Sequence, residues 1–370
     1  MDIRPAENPP LVDVNLLFHG AEATLDEAIA AVARQTWTHW RLTLLDDGST
    51  DGGPAIAAAW AARDPRIRVK RHRANQGIVG AYRRAFVEGD ADFVMPKSAD
   101  DVIEPRFMEA LMDRLLAEPA AAMCHAAAVT TDMDGAVLRT VPAATRLDTP
   151  EGGPLARARH VMARYTEAPA FWGIYRRAAV DAALAPRECG GWDHAFLADI
   201  ALHGHIRHVP EVLFRRRGGQ AGLSVLARNA ALPWSRRRAA SEALADFSGI
   251  CPVATCVWAH VETFALARLP EGDCAALIES ARDVLGRRWD DLLAADAARL
   301  AAFVADAIPW AMEHAEAGMR GVATKLLLHL LELTERCAFA APPGPALRAA
   351  QAAVAAALPQ ARPPARRLAA

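Results

Sequence analysis

Cysteine is scarce in this sequence: six residues among 370, at Cys124, Cys189, Cys251, Cys256, Cys274 and Cys337. A disulfide-stapled scaffold is short and dense in cysteine, so that class is excluded. Cys251 and Cys256 have no second pair with which to complete a structural zinc site, and reduced, neutral thiols are expected. No charge of either sign dominates. A formal net charge of −2 and a pI near 6.6 give no global pull toward nucleic acid or an anionic membrane, so any anionic ligand must be held locally. Long apolar runs are missing too. The most apolar stretch, Val322 to Leu333, is interrupted by Lys325, His329 and Glu332 and is too short and too charged to span a bilayer. The opening Met1-Asp2-Ile3-Arg4-Pro5 has an acidic second residue and no apolar core, unlike a signal peptide, and a cytoplasmic location is expected. No Walker A loop and no Gly-x-Gly-x-x-Gly occurs, which leaves kinase-like and dinucleotide-binding readings without support.

What is present is enough to build a core. Hydrophobic residues make up 52% and charged residues 23%, which excludes a wholly disordered, collagen-like or coiled-coil chain. The length suggests two domains, or one large domain with an extension. In the first half, strand-like and helix-like segments alternate. Leu11–Phe18, Arg41–Leu45, Arg66–Arg71 and Asp92–Met95 read as strands, and Ala23–Gln35, Pro54–Arg63 and Ile78–Glu88 as helices. Such alternation implies βαβ units and a mainly parallel central sheet. Beyond Asp101 the pattern is mixed. A helix is expected over Glu104–Ala117, a hairpin around Met133-Asp134-Gly135, a short helix over His194–His203 and a last strand over His205–Val209. From about Ser224 strand signals vanish and Ala-rich helices follow: Val253–Arg268, Asp273–Gly286, Trp289–Ala307 and Gly318–Arg336. The expected organisation is an α/β domain over 1–223 and an all-α region over 224–341. Residues 342–370 are read as a linker, one short helix and a disordered Pro- and Arg-rich tail from Pro359.

Ligands of an open parallel sheet bind beyond the carboxyl ends of its strands. Two acidic clusters fall at such ends. Asp46-Asp47-Gly48-Ser49-Thr50-Asp51 directly follows the second strand, and Ser98-Ala99-Asp100-Asp101 follows the fourth. Carboxylates converging on one rim hold a divalent ion and hydrogen-bond a ribose or a base, and a nucleoside diphosphate suits such a rim because the metal offsets the repulsion. The first cluster also mimics the start of an EF-hand loop from Asp47. Ala58 stands where the bidentate Glu belongs, however, and a strand precedes it, so that reading fails. A polar turn capping the helix after Pro54 is the structural alternative.

In the order of these motifs the sequence resembles the family 2 glycosyltransferases, inverting enzymes of the GT-A fold. The resemblance covers roughly residues 11–217. It rests on the strand and helix ending in Gln35-Thr36, the verbatim Asp-Asp-Gly-Ser-Thr-Asp at 46–51, Asn75-Gln76-Gly77, and Ser-Ala-Asp-Asp at 98–101. It implies that Asp46 reads the nucleobase, with Asp47 beside it, and that Asp100 binds the ribose or the donor sugar. Asp101 would ligate Mg²⁺ or Mn²⁺, and Asn75, Gly77 and Arg83 would contact the donor. It further implies one general base, an acid shortly before a helix late in the domain, for which Asp193 is the candidate and Asp199 the second choice; an N-cap role for Asp193 is compatible. Two departures stand out: His19-Gly20 replace the family's usual Tyr-Asn pair, leaving His19 to cover the base, and Ser98 stands where many members carry a further Asp.

Other residues allow two readings each. Trp192, Phe171 and Trp172 suit either a platform for a sugar ring or core packing. Among Arg215, Arg216 and Arg217, one is expected to clamp a pyrophosphate or an anionic acceptor, with Arg217 the leading candidate for an acceptor contact. His194 and His203 are expected at the surface or in packing, and His260, Glu262, His314 and Glu316 on solvated helix faces. The expected activity is transfer of a sugar from a nucleotide-sugar donor, a UDP-sugar first, to a glycan, lipid-linked or protein acceptor, as in polysaccharide biosynthesis. The alternative is a non-catalytic sugar-nucleotide-binding or scaffold module on the same fold. The helical region is a candidate for homo-oligomerisation or partner docking. The Arg-rich segments Arg236–Arg238 and Arg362–Arg367 allow peripheral membrane contact, and no nucleic-acid partner is expected.

Overall fold

A computed structural model describes residues 9–142, 146–165, 168–184, 192–218, 250–340 and 344–361. They fall into two compact units. The first is built mainly on residues up to 188 and 192–219, the second mainly on 220–265 and 275–370. The boundary expected at 223/224 lies outside the described residues, as do 342, 343 and the tail from 362.

The first unit runs β1 (Val12–Phe18), α1 (Leu25–Ala33), β2 (Trp40–Asp46), α2 (Gly53–Arg63), β3 (Ile67–Arg71), α3 (Gly77–Val87), β4 (Phe93–Ser98), β5 (Val102–Ile103), α4 (Phe107–Ala117), β6 (Ala121–Thr131), β7 (Val137–Thr140), α5 (Pro154–Arg164), β8 (Gly173–Arg176), α6 (Arg177–Ala182), α7 (Trp192–His203) and β9 (His205–Arg217). One sheet contains all of these strands in the order β3-β2-β1-β4-β8-β6-β9-β5, with β7 on the flank of β6. Its first four strands are mutually parallel, and β9 runs parallel to β6. β8 is antiparallel to both β4 and β6, and β5 is antiparallel to β9. Every residue of β1 is buried, as expected of a parallel strand covered on both faces. Its polar Asn15 is buried with them and donates to Ala85 O (2.7 Å) and Glu88 O (2.9 Å), two carbonyls that the end of α3 leaves unpaired.

The sequence reading ends the last strand at Val209, but β9 continues to Arg217. Pro210, Glu211 and Val212 are exposed, and the β6–β9 register shifts on either side of Ala127. A bulge therefore absorbs the proline and the charge, and the strand resumes. This extension carries Arg215–Arg217 to the same rim as β4.

Buried His125 and half-buried His208 meet where β6 pairs with β9, their rings 5.0 Å apart. Burial pushes His208 down to about 3, helped by neighbouring His125 and Arg146, and it also lowers His125, despite that ring's contacts with Leu147 O and Ala126 O. Both stay neutral in the fold, while the unfolded chain takes up protons below about 6.5. Their contribution to stability is therefore complete above pH 6.5 and declines from there toward pH 3. Thermal melting followed from pH 7 to pH 4 is expected to show a steeper fall for the native protein than for His208→Gln; parallel curves would contradict this.

The second unit holds α8 (Pro252–Leu266), most of α9 (Glu271–Arg288), α10 (Asp290–Glu316), α11 (Arg320–Ala340) and α12 (Pro345–Ala361). The carboxylate of fully buried Asp296 accepts Val253 N and Ala254 N, both at 2.8 Å, and so caps the start of α8. Three expectations are corrected here. α10 runs through Pro309 rather than stopping at Ala307, and α12 continues past Pro359. His260 is not on a solvated face: it is fully buried, with its Nδ1 2.8 Å from Cys256 O. Among the described residues no helix is long and apolar enough to cross a membrane.

Candidate functional site

The sheet register aligns the ends of the parallel strands. Phe18 lies opposite Asp46, Asp46 opposite Arg71, and Leu17 opposite Ser98. The loops leaving β1, β2, β3 and β4 therefore share one rim, and both acidic clusters stand on it.

Asp46 is buried. Its Oδ1 accepts Ser49 N at 2.7 Å, and its Oδ2 lies 3.0 Å from Arg71 Nε, whose Nη2 donates to Ser49 O at 2.7 Å. Arg71 was not legible as a site residue, since it reads as the last polar position of an edge strand. Asp47 turns away from Asp46: its carboxylate meets His72 Nδ1 at 2.8 Å and accepts Gln76 N at 3.0 Å. It thus holds the loop that carries Asn75 and Gly77. Gly48 (φ +80°) is the matching contact from the other side, because a Cβ there would lie 2.9 Å from Asn75 N. Asn75 Oδ1 accepts Gly77 N at 2.6 Å, a local turn that opens α3. His19, exposed at the tip of β1, has Nδ1 3.0 Å from Asp47 O.

At the second cluster Asp100 is exposed and accepts Ser98 Oγ, whereas Asp101 is buried and accepts Arg217 N at 2.9 Å. Burial, reinforced by the charge of Asp100, pushes the Asp101 carboxyl up from its ordinary range. Lys97 lies beneath it, 1% exposed, donating to Ser98 O (3.0 Å) and Asp101 O (2.6 Å). Burial lowers its pKa, opposed by the charges of Asp101 and Asp100. The one trace of Lys97 in the sequence is a lone cation in an otherwise apolar strand. Gln35 and Thr36 brace the segment just beyond: Gln35 Nε2 donates to Glu104 O at 2.8 Å, its Oε1 accepts Met108 N at 2.8 Å, and Thr36 N donates to Pro105 O at 2.9 Å. The Gln-Thr pair thus braces the segment that follows Asp100-Asp101.

Asp193 lies in the first turn of α7, half-buried, and its Oδ2 accepts the hydroxyl of fully buried Tyr165 at 2.8 Å. Asp199 is different: 2% exposed, it accepts Leu184 N at 2.7 Å and faces His203 at 3.3 Å, which is a structural position. His194 packs against the Tyr165 ring at 4.2 Å. The residue linking the two acidic regions is Tyr82 on α3. Burial and then the charges of Asp101, Asp100 and Asp193 push its hydroxyl well above the usual range. The charges of all three carboxylates therefore act on one hydroxyl. The Tyr82 ring meets Trp192 at 5.1 Å, Trp172 at 5.5 Å and Phe171 at 5.5 Å.

The three arginines at the end of β9 are sorted by their partners. Arg215 Nε lies 2.5 Å from Glu104 Oε1, and the Arg217 guanidinium is paired with Glu27 of α1. Arg216 has no ion pair or hydrogen bond among the described residues, yet its charge acts on both Asp101 and Tyr165. Arg83 is half-buried on α3, one position beyond Tyr82.

Asp100 and Asp101 form an adjacent pair of hard oxygen donors whose mutual repulsion a cation relieves. Two carboxylates with further oxygens from a phosphate suit Mg²⁺ or Mn²⁺, so the residues fit that group. A different cluster, Glu118, Glu151 and His205, brings ligand atoms within 4.8 Å of one another. It lies at the opposite end of β9 from Arg217, and Arg207 pairs with both of its carboxylates, which leaves little net charge for an ion.

Residues 14–177 match the model of glycosyl transferase family 2. The chain is 31% identical over 101 residues to the putative glycosyltransferase EpsE of Bacillus subtilis, covering 27% of this chain and 36% of EpsE. It is 28% identical over 261 residues to the uncharacterized protein y4gI of Sinorhizobium fredii, covering 67% of this chain and 27% of y4gI. The chain thus spans about a third of these relatives' lengths. Among solved structures it is similar to S. aureus TarS (TM-score 0.54, 14% identity, 95% of this chain and 54% of TarS). It is likewise similar to TarS 1-349 in complex with UDP-GlcNAc (TM-score 0.54, 16% identity, 95% of this chain and 90% of that one). At such identities the likeness is one of fold. Residues 14–177 therefore carry the sequence pattern of glycosyl transferase family 2, and the α/β domain that contains them has the GT-A fold.

Proposed function

We propose that the chain is an inverting, metal-dependent glycosyltransferase that moves a sugar from a nucleotide-sugar donor, a UDP-sugar first among the candidates, to a hydroxyl of a glycan, lipid-linked or protein acceptor. The observation that carries this reading is the alignment of the strand ends, which sets Asp46 and the Asp100-Asp101 pair on one rim, while α3, which opens from the loop held by Asp47, packs its Tyr82 ring on Trp192 next to Asp193. Asp46 recognises the base, its carboxylate fixed by Ser49 N and Arg71. Asp100 takes the ribose or sugar hydroxyls. Asp101, with Asp100 beside it, would hold the divalent ion, which when bound neutralises the diphosphate and its departing charge.

Inversion requires the acceptor oxygen to attack the anomeric carbon from the side opposite the leaving diphosphate, with one base to take its proton. Asp193 fills that role. The Tyr165 hydroxyl donates to Oδ2 and holds the carboxylate in one orientation. Tyr165 itself stays neutral, because burial and Asp193 raise its pKa well above 10. Arg216 is the arginine that meets the diphosphate, since Arg215 and Arg217 are already paired with Glu104 and Glu27. Arg216→Ala is expected to weaken UDP binding by roughly tenfold, the loss of a charge-assisted contact. Arg215→Ala is expected to leave it within about twofold, as a broken surface pair costs little. Calorimetric titration with UDP and Mn²⁺ checks both, and equal losses in the two variants would count against the assignment.

The function itself is tested by incubating the protein with a panel of UDP- and GDP-sugars and Mn²⁺ and following release of the nucleoside diphosphate. Release that depends on both Mn²⁺ and Asp193 is the expected result.

A further inference from the structure

α3 is fixed from several sides, which makes the placement of Tyr82 a property of the fold rather than of a loop. The buried amide of Asn15 ties down its last turn, and Phe86 packs against Phe171, Tyr175 and Phe196 at 4.6–5.8 Å. Tyr82 stands one turn earlier on the same face. Its ring is tilted 33° against Trp192, the residue directly before Asp193, and 58° against Trp172. Trp172 in turn stacks at 12° on Phe214, two residues before Arg216 on β9. Tyr82 thus joins the walls that carry Asp193 and Arg216 to α3, the helix that opens from the rim loop held by Asp47.

Its hydroxyl is distinctive in this setting. Tyr165 and Tyr175, the other two tyrosines of the chain, both spend their hydroxyls inside the protein, on Asp193 Oδ2 (2.8 Å) and Phe171 O (2.6 Å). Tyr82 is 7% exposed; among the described residues its hydroxyl makes no hydrogen bond, and it is not one of the buried polar atoms left without a partner, so it keeps access to solvent and to a ligand. The charges of Asp101, Asp100 and Asp193 act on it, and no hydrogen bond ties it to any of them. Nor can it serve as a base, because the same carboxylates and its burial keep it protonated at any ordinary pH. What remains is a neutral donor and acceptor beside aromatic faces, the combination that recognises a pyranose by stacking on its C–H face and hydrogen-bonding a ring hydroxyl.

Resting on the reading of the site given above, we propose that the Tyr82 hydroxyl hydrogen-bonds the sugar of the nucleotide-sugar donor, making Tyr82 a residue that distinguishes nucleotide sugar from free nucleotide. The nucleotide itself is held at Asp46, Asp100 and Asp101, so loss of the Tyr82 hydroxyl spares it. The sugar, lying between the metal-side carboxylates and Asp193, loses one hydrogen bond.

The test is the ratio of affinities for a nucleotide sugar and its parent nucleotide, measured by calorimetry with Mn²⁺ for UDP-GlcNAc, UDP-glucose and GDP-mannose against UDP and GDP. Tyr82→Phe keeps the ring and its packing and should keep the thermal midpoint. For the sugar nucleotide that the native protein binds best, the variant is expected to bind about five- to tenfold more weakly, with the nucleoside diphosphate unchanged within twofold. In turnover the loss should appear in KM for the donor, with kcat little affected. An unchanged ratio, or equal weakening of sugar nucleotide and nucleotide, overturns the role of Tyr82 while leaving the site intact. A native protein that binds none of the panel overturns the reading of the site, and the Tyr82 assignment with it. Tyr82→Leu, which also removes the ring, is expected to weaken the sugar nucleotide further than Tyr82→Phe; an effect no larger would count against the stacking contact.

Discussion

Asp193→Asn is expected to lower transfer by a factor on the order of 10²–10⁴ while leaving donor affinity within about twofold, because a positioned general base contributes about that much. Asparagine keeps the shape of the side chain and retains an oxygen to accept from Tyr165, so the first turn of α7 keeps its anchor. What is lost is the capacity to take a proton from the acceptor. The readouts are kcat at saturating donor and the dissociation constant for the same donor. Full turnover in the variant would remove Asp193 from the chemistry. Asp199→Asn is the natural control: Asp199 is buried against Leu184 N and His203, so its loss should lower the melting temperature more than it lowers kcat relative to folded protein.

Asp101→Ala is expected to abolish Mn²⁺-dependent UDP binding, a loss of at least about 100-fold, because one of the two carboxylates available to the ion is gone. The same change removes a negative charge that favours the buried ammonium of Lys97, so some loss of stability is expected alongside. The two effects are separable. Asp101→Asn preserves the acceptor for Arg217 N and the volume of the side chain, so it should remain folded while still losing the metal-dependent part of binding. Calorimetry with and without Mn²⁺, alongside melting curves, distinguishes them. UDP binding that stays equally metal-dependent in Asp101→Asn would defeat the assignment.

Much of the parallel half of the sheet was legible because its signals are local. Apolar runs of strand length, helical periodicity between them and polar clusters at strand ends place β1 to β3 within a residue, while β4 runs three residues past its expected end at Met95, to Ser98, because Pro96 and Lys97 read as a break. The acidic string at 46–51 and the pair at 100–101 were likewise readable, since each sits directly after its strand. What stayed hidden depends on pairing between distant segments. Four-residue β8 is too short for periodicity to register. The continuation of β9 past Pro210 looks like an ending, because a bulge has no signature in a single strand. Arg71 gains its meaning only from lying opposite Asp46, and Lys97 only from the loop carbonyls folded over it. Tyr82 reads as one more core position of α3; no spacing rule indicates that its ring will pack on Trp192 beside Asp193 or that the charges of three carboxylates from two other segments will act on it. The choice among Arg215, Arg216 and Arg217 was equally closed to sequence, because alternation along a strand gives two faces but does not say which face carries the acidic partners Glu104 and Glu27.

The central claim is that the rim formed by Asp46, Asp100 and Asp101 is a metal-assisted nucleoside diphosphate site. Titration of the native protein with UDP and GDP, in the presence of Mn²⁺ and again in the presence of a chelator, addresses it directly. Saturable binding of one of these nucleotides that needs the metal is the predicted result. Absence of binding to either nucleotide, or binding indifferent to the chelator, would contradict it.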